Sequence, residues 1–164
     1  MPDYQLHIHE FDPVYDENSR ILILGSFPSV KSRQQHFYYG HPQNRFWKIL
    51  AAVYAAPVPE TISEKKAFLL ASRIALWDVI AQCEIVGSSD ASIRNAVPTD
   101  LSVIFQAAPV ERIFCNGNKA YQLFNKYQKK TSGREAVRLP SSSPANAAAS
   151  LDQLISVWGT ALRQ

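Results

Sequence analysis

ILILGSFPS, residues 21–29, decides the fold. Four consecutive apolar residues, Ile21 to Leu24, end at Gly25 and run into a short polar turn. A half-exposed strand alternates apolar with polar, whereas an unbroken apolar run marks a strand buried on both faces of a parallel sheet. Working outward, three more runs read the same way. IALWDVI spans Ile74 to Ile80, RIFC spans Arg112 to Cys115 before Asn116-Gly117, and AVRL spans Ala136 to Leu139 before Pro140. Helical stretches lie between them. From Asn44 to Ala55, Phe46, Trp47, Ile49, Leu50, Val53 and Tyr54 form a wide apolar stripe. Ser63 opens SEKKAFLLAS with a hydroxyl cap, Thr99 opens TDLSVIFQAA and Asn118 opens NKAYQLFNKY. A last helix covers Ala145 to Leu162, with Leu151, Leu154, Ile155 and Trp158 on one face. Strands alternating with such helices imply βαβ units. The expected fold is α/β: one three-layer α/β/α domain over residues 1–164, with a central, mostly parallel four-stranded sheet.

Composition narrows the function classes. The chain has 164 residues, 46% hydrophobic and 19% charged, which is globular and long enough to bury a core without metal or disulfide staples. No apolar run approaches the roughly 18–20 residues of a membrane span, and MPDYQLHIHEFDP lacks the basic-then-apolar order of a signal peptide. Cys83 and Cys115 stand far apart without a CxxC pair, which excludes a disulfide framework and a cysteine zinc site. Both are expected to be buried, inert thiols in a reducing cytoplasm, and no cofactor or metal is expected. The net charge of +3 decides little, but its distribution does more. Between Arg112 and Arg138, seven Lys/Arg face only Glu135. Such a stretch is either a solvated face or a surface that meets phosphates.

Ligands of open parallel sheets bind outside the carboxyl ends of the strands. That points to Gly25–Ser29, Asp78, Asn116–Asn118 and Pro140–Asn146. The first turn, GSFPS, is neither GxGxxG nor GxxxxGK[ST] nor G-x-S-x-G, so dinucleotide binding, P-loop chemistry and a nucleophile elbow all drop out. Next comes SRQQHFYYGHPQNRFW, residues 32–47, which is polar and aromatic. Pro42 suits a first helical position. Asn44 would then lie in the first turn, among unpaired N–H groups at the positive end of the helix dipole.

GSFPS at 25–29, FYYGHPQNRFW at 37–47 and LPSSSPAN at 139–146, in that order, resemble the uracil-DNA glycosylase superfamily. The resemblance is nearest to its hypoxanthine (deoxyinosine) branch and to its mismatch-specific relatives, and it covers the chain from about Pro13 to the last helix. It implies a three-layer α/β/α fold and a DNA partner: double-stranded DNA holding a deaminated base, with single-stranded DNA as a further form. It implies Asn44 as the catalytic amide and Tyr39 as the aromatic stacked on an extruded base. Pro144, Ala145 and Asn146 fall where relatives wedge the duplex. Two positions depart from the pattern. Mismatch-specific relatives carry an Asn where Phe27 stands, and the best-known uracil enzymes carry a His where Leu139 stands.

The chemistry follows from the residue types. A glycosylase must flip its nucleotide into a pocket, which costs least for damaged or mispaired bases. Phe27 and Tyr39 offer aromatic platforms. Asp78 and Asn116, at strand ends, offer partners for the base edge, and the sequence does not choose between them. An amide is not basic, so Asn44 would orient water or stabilise the leaving base. Asp90, in GSSDAS, is either a turn residue or a carboxylate near the sugar cation. Ser141, Ser142, Ser143 and Lys119 suit phosphate contacts. The expected activity is monofunctional hydrolysis of hypoxanthine, with uracil as a further substrate, by a monomer without membrane attachment. A glycosylase fold that binds DNA with weak or no catalysis is the alternative. A small-molecule α/β hydrolase is disfavoured by the missing elbow.

Overall fold

The rest of the chain is arranged around β2 (Ile21–Gly25; elements are numbered in chain order). In the computed structural model, which describes residues 3–163, all five of its residues are buried. β2 pairs in parallel with β3 (Ile74–Asp78) on one side and with β6 (Arg112–Asn116) on the other. β6 pairs in parallel with β7 (Val137–Leu139), giving an all-parallel four-stranded sheet in the order β3-β2-β6-β7. The period of two along β2 divides its side chains between two cores. Ile21 and Ile23 pack with Ile74, Leu76 and Phe114 against α2 (Phe46–Val53), α3 (Ile62–Ala71) and α7 (Leu151–Leu162). Leu22 and Leu24 pack with Ala75, Ile113 and Cys115 against α4 (Ser102–Ala107) and α5 (Asn118–Tyr127). Each fully buried Leu or Ile contributes about 1.5–3 kcal/mol, so a polar residue anywhere in Ile21–Leu24 would damage one core or the other.

The expected strand IALWDVI is two strands. β3 stops at Asp78, and β4 (Ile80–Ile85) turns away into a second, antiparallel sheet ordered β1 (Gln5–Ile8), β4, β5 (Arg94–Pro98). The turn is made by backbone bonds: Val79 N–H donates to the Gly25 carbonyl at 2.8 Å and Ile80 N–H to the Ser26 carbonyl at 3.1 Å. Both strands are apolar and buried here, so periodicity carried no mark of the break. β1 was missed because its residues are mostly exposed.

Several helix starts also move. Thr61, not Ser63, caps α3, with Glu64 completing a reciprocal capping box. Thr99 opens no helix: its hydroxyl donates to the Asp78 carbonyl at 2.8 Å, its own carbonyl accepts from Gln128, and α4 starts three residues later. The last helix starts at Leu151 under a Ser150–Gln153 box, which leaves 145–150 as loop. A short α1 (Val30–Gln35), capped by Ser29, follows the GSFPS turn, where the sequence pattern predicts no element. The basic run becomes α5, α6 (Lys129–Ser132) and β7. Among the described residues no helix is long and apolar enough to cross a membrane. Both cysteines are free and buried, and burial raises the Cys83 thiol to about 11 and the Cys115 thiol to about 12.

Candidate active site

Parallel register sets Gly25 beside Asp78 and Asn116 beside Leu139. The carboxyl ends of the strands therefore share one edge, and the turns leaving them enclose a pocket of about 360 Å³, within the usual range for a small-ligand site. Eleven of the residues singled out from the sequence line it: Phe27, Tyr39, Asn44, Asp78, Asp90, Asn116, Ser141, Ser142, Ser143, Pro144 and Ala145.

One wall is aromatic. Phe27 is buried, with His9 edge-on to its ring at 6.1 Å and the Arg33 guanidinium 5.8 Å from its centroid. The Tyr39 ring stacks on Phe46, with centroids 4.0 Å apart and planes inclined by 23°. Tyr39 holds φ at 54°, a left-handed conformation that costs a bulky residue about 1–3 kcal/mol. Its neighbours hold it there: Trp47 Nε1 donates to the Tyr38 carbonyl at 3.3 Å, and Gly40 N–H donates to Ser32 Oγ at 3.0 Å. The Tyr39 hydroxyl is buried without a hydrogen-bond partner, and Asn116 faces it without hydrogen-bond geometry. Burial and the nearby Asp78 carboxylate raise its pKa. Gly25 makes the approach possible. A Cβ there would lie 2.4 Å from Asp78 Oδ1 and 2.7 Å from the Tyr39 hydroxyl.

Asn44 lies outside the helix, contrary to the expectation from Pro42. Residues 41–43 form a turn, Arg45 is the N-cap, and α2 begins at Phe46. Asn44 Oδ1 accepts from Phe46 N–H at 3.0 Å, replacing a helical partner the N-terminus lacks, and from Ser142 Oγ at 2.8 Å. Those two donors fix which end of the amide is oxygen, and they leave the Nδ2 donors for the pocket. Ser142 is itself held twice by Asn116, which donates from Nδ2 to Ser142 Oγ at 2.9 Å and accepts from Ser142 N–H at 3.0 Å. Asn116, expected at the base edge, thus spends its oxygen and one N–H on orienting Ser142.

Arg45, missed from the sequence, holds the opposite loop. Its guanidinium donates to the carbonyls of Ser142, Ser143, Asn146 and Ala149, and its backbone N–H donates to Ser142 as well. Only the neighbouring RFW marked it in the sequence. Ser142, expected against phosphate, is wholly buried in this network. Ser141 Oγ and Ser143 Oγ accept from backbone N–H groups within the loop, and Pro144 and Ala145 form its exposed rim. Asn146 does not line the pocket; its Nδ2 donates back to the Ser141 carbonyl. Lys119 also stands outside the lining, one residue into α5.

Two carboxylates do face the pocket. Asp78 Oδ2 pairs with His9 Nε2 at 2.8 Å, both side chains almost fully buried. His9 follows β1, a polar strand whose pattern gave no hint that its chain end turns inward. Asp90 is the residue for which the sequence leaves open a turn role or a carboxylate near the sugar. Its Oδ1 accepts from Ser26 Oγ at 2.8 Å, and it lines the pocket. Partial desolvation of its carboxyl group at the pocket edge raises its pKa although the residue stays exposed, as does Asp78, while the Ser26 bond and Lys119 oppose the rise. Among the described residues no three His, Cys, Asp or Glu side chains gather as a metal cluster.

A sequence profile described as the uracil DNA glycosylase superfamily matches residues 13–159, nine-tenths of the chain. The chain belongs to that superfamily. A Methanosarcina acetivorans protein named hypoxanthine DNA glycosylase is 39% identical over 140 residues, 83% of this chain and 86% of that one. A Methanosarcina barkeri protein of the same name is 34% identical over 158 residues, 94% and 97% of the two chains. The solution NMR structure of a Methanosarcina acetivorans protein superposes with a TM-score of 0.79 at 35% identity, covering 93% of this chain and 94% of that one. Within this superfamily chain, Leu139 is a core residue under α7, 1% exposed, and Phe27 lies in the second core, so neither departure from the pattern leaves a polar gap.

Two predictions follow from this geometry. Arg45→Ala leaves several loop carbonyls unpaired and should cost on the order of 2–4 kcal/mol in urea unfolding. Limited proteolysis should then cut within 143–149, and Arg45→Lys, lacking the planar fork, should recover little. Asp90 is a carboxyl whose folded pKa is raised, so folding binds its proton more tightly than the unfolded chain does. The resulting cost is absent below the unfolded value of about 3.9 and is complete above the folded value. Asp90→Asn should therefore melt higher than the natural protein at pH 7, with the gap closing at acid pH.

Proposed function

We propose that the protein hydrolyses the N-glycosidic bond of a deaminated base in DNA, hypoxanthine before uracil, and leaves an abasic site. The observation that carries this reading is a single pocket that collects an amide donor, two aromatic rings and a buried carboxylate. The hypoxanthine DNA glycosylases at 34–39% identity support the choice of substrate. The nucleotide is flipped out of the duplex, and its base enters the pocket that Phe27 and Tyr39 line. Phe46 backs one Tyr39 face and keeps the ring upright.

Asp78 is the better reader of the base edge, because Asn116 is committed to Ser142. Its Oδ2 is occupied by His9, which leaves Oδ1 beside Gly25 as an acceptor. A carboxylate accepts and does not donate, so it selects a ring N–H. Deamination turns N1 of adenine and N3 of cytosine from acceptors into N–H donors. An acceptor fixed at this point favours hypoxanthine and uracil over the bases they came from, since a mismatched edge leaves buried polar groups unpaired. Asn44 Nδ2 then faces the base as it departs with negative charge, or holds the attacking water. A donor of this kind is worth roughly 10²–10³ in rate. Among the described residues no lysine lines the pocket to act as a nucleophile, so the reaction ends at the abasic site.

The chain acts as one domain and as a monomer, on duplex DNA first and single-stranded DNA second, in a reducing cytoplasm where its thiols stay free. Part of the expected basic footprint is spent within the fold. Arg112 donates to the carbonyls that end α7, Arg134 donates to the Val110 carbonyl, and Lys129 pairs with Glu135 at 3.4 Å. Lys119, Lys126, Lys130 and Arg138 remain for phosphates.

A duplex holding one hypoxanthine, uracil or xanthine tests the reading. Strand breaks should appear at hypoxanthine only after alkali. Binding without any alkali-labile site would favour the alternative of an inactive glycosylase fold. Asn44→Asp keeps the oxygen that caps α2 and accepts from Ser142 but removes the donors. It should fold normally and lose about 10²–10³ in single-turnover rate. Tyr39→Ala should lose about tenfold to a hundredfold, as expected for loss of about 1–3 kcal/mol of stacking. Tyr39→Phe should keep its activity and melt no lower, because the hydroxyl it loses has no partner. With three or four phosphates neutralised, affinity should fall about one to two decades between 50 and 200 mM salt; filter binding across that range checks it.

A further inference from the structure

We infer that Asp90 is a catalytic residue, the carboxylate that faces the sugar and takes the proton from the attacking water. This deepens the glycosylase reading above and rests on it.

Hydrolysis at C1′ builds positive charge on the sugar and requires water to shed a proton. Asn44 meets neither need, because an amide is neutral and not basic. Among the described residues only two carboxylates line the pocket, Asp78 and Asp90. Asp78 is held by His9 at the end of β3, deep beside Gly25. Asp90 comes from a different segment, the turn that follows β4.

That turn is tied down at three points. Ser26 Oγ donates to Asp90 Oδ1 at 2.8 Å, Val30 N–H donates to Ser88 Oγ at 2.8 Å, and Arg33 Nη2 donates to the Gly87 carbonyl at 3.1 Å. Arg33 also grips the Pro28 carbonyl at 2.8 Å, so it spans both turns. All three ties run to residues 26–33, the segment that begins at the first strand end. Phe27 leaves that segment without an acid or amide of its own beside Ser26, and Ser26 draws in a carboxylate from another element.

The charged and titratable groups facing Asp90 are Asp78 on β3, Lys119 on α5, Tyr39 before α2 and Cys83 on β4. Partial desolvation and Asp78 raise its proton affinity, and its exposed position gives the proton a way to solvent, which suits a group that must accept a proton and release it. In the step, the C1′–N9 bond breaks and its electron pair leaves on the base. The water oxygen bonds to C1′, and its proton passes to the Asp90 carboxylate and then to solvent. The departing base is protonated by solvent. Ser26 is a positioning residue, since it reaches the reaction only through Asp90.

Single-turnover excision from a hypoxanthine duplex, measured from pH 4.5 to 8.5, tests the assignment. The natural protein should lose rate on the acid side as Asp90 protonates. Asp90→Asn, which keeps the Ser26 bond, should bind the duplex as tightly, fall roughly 10²-fold or more and lose the acid limb. Ser26→Ala should fall less and keep a displaced limb. An Asp90→Asn protein within threefold of the natural rate, or one whose residual activity keeps the same acid limb, overturns the inference and leaves the glycosylase reading standing. A natural protein inert on hypoxanthine, uracil and xanthine duplexes overturns both.

Discussion

Arg45 is the interaction on which the pocket depends. One planar cation at the start of α2 meets four carbonyls of the loop between β7 and α7. Those carbonyls belong to a segment with no regular structure, where unpaired backbone groups are costly. The clasp sets the loop's path, the path sets Ser142, and Ser142 sets the Asn44 amide. Asn116 holds Ser142 from the sheet side, so the amide is oriented by a chain that runs from a strand end through a serine. Gly117 helps at the same place. Its φ of 96° and the 3.0 Å approach of Ser141 Cβ to where its own Cβ would lie both exclude a side chain.

The floor of the pocket is set by the register of three strands. Gly25 pairs with Asp78, and this places a bare Cα beside a carboxylate and a tyrosine hydroxyl. The floor is also under strain. Tyr39 sits at positive φ with an unpartnered hydroxyl, and His9 Nδ1 is likewise buried without a partner. At Tyr39 an unmet polar group and a strained backbone coincide in the pocket lining, and functional sites often trade stability for a preset geometry in this way.

The sheet was legible because its central strand is apolar at every position, a pattern that only two-sided burial explains. That the strand ends share one pocket was legible for the same reason, since parallel strands finish on one edge. The second sheet was not, because Val79 and Ile80 continue the apolar run of β3 while the backbone turns at Asp78. The reason for singling out Asn44 is only half correct. Its neighbourhood at a helix start was read properly, but it precedes the N-cap and serves the helix through its side-chain oxygen. His9, Arg45 and Ser26 escaped because each acts across 64 residues or more of sequence on a partner no periodicity reveals. The three serines read as a phosphate loop, yet the middle one is wholly buried. A hydroxyl's role depends on whether its loop is held against the protein, and here Arg45 decides that.

Strands and loops divide the work of the site. The strand ends supply the groups proposed to recognise the base, Asp78 and the glycine that lets it approach. Loops supply the groups proposed to act on the bond, Asn44 and Asp90. Loops move more than sheets, so catalytic groups placed on them would ordinarily lose precision and rate. Each loop is instead fixed by an arginine that spans two segments, Arg45 for 142–149 and Arg33 for 28 and 87. A guanidinium suits this task because its donors are fixed in a plane and its charge is permanent. The donors and acceptors are thus in place before any nucleotide arrives. Electrostatic stabilisation is cheapest when nothing must reorganise during the reaction, and two surface loops are held for that condition here by cations that stand outside the pocket lining.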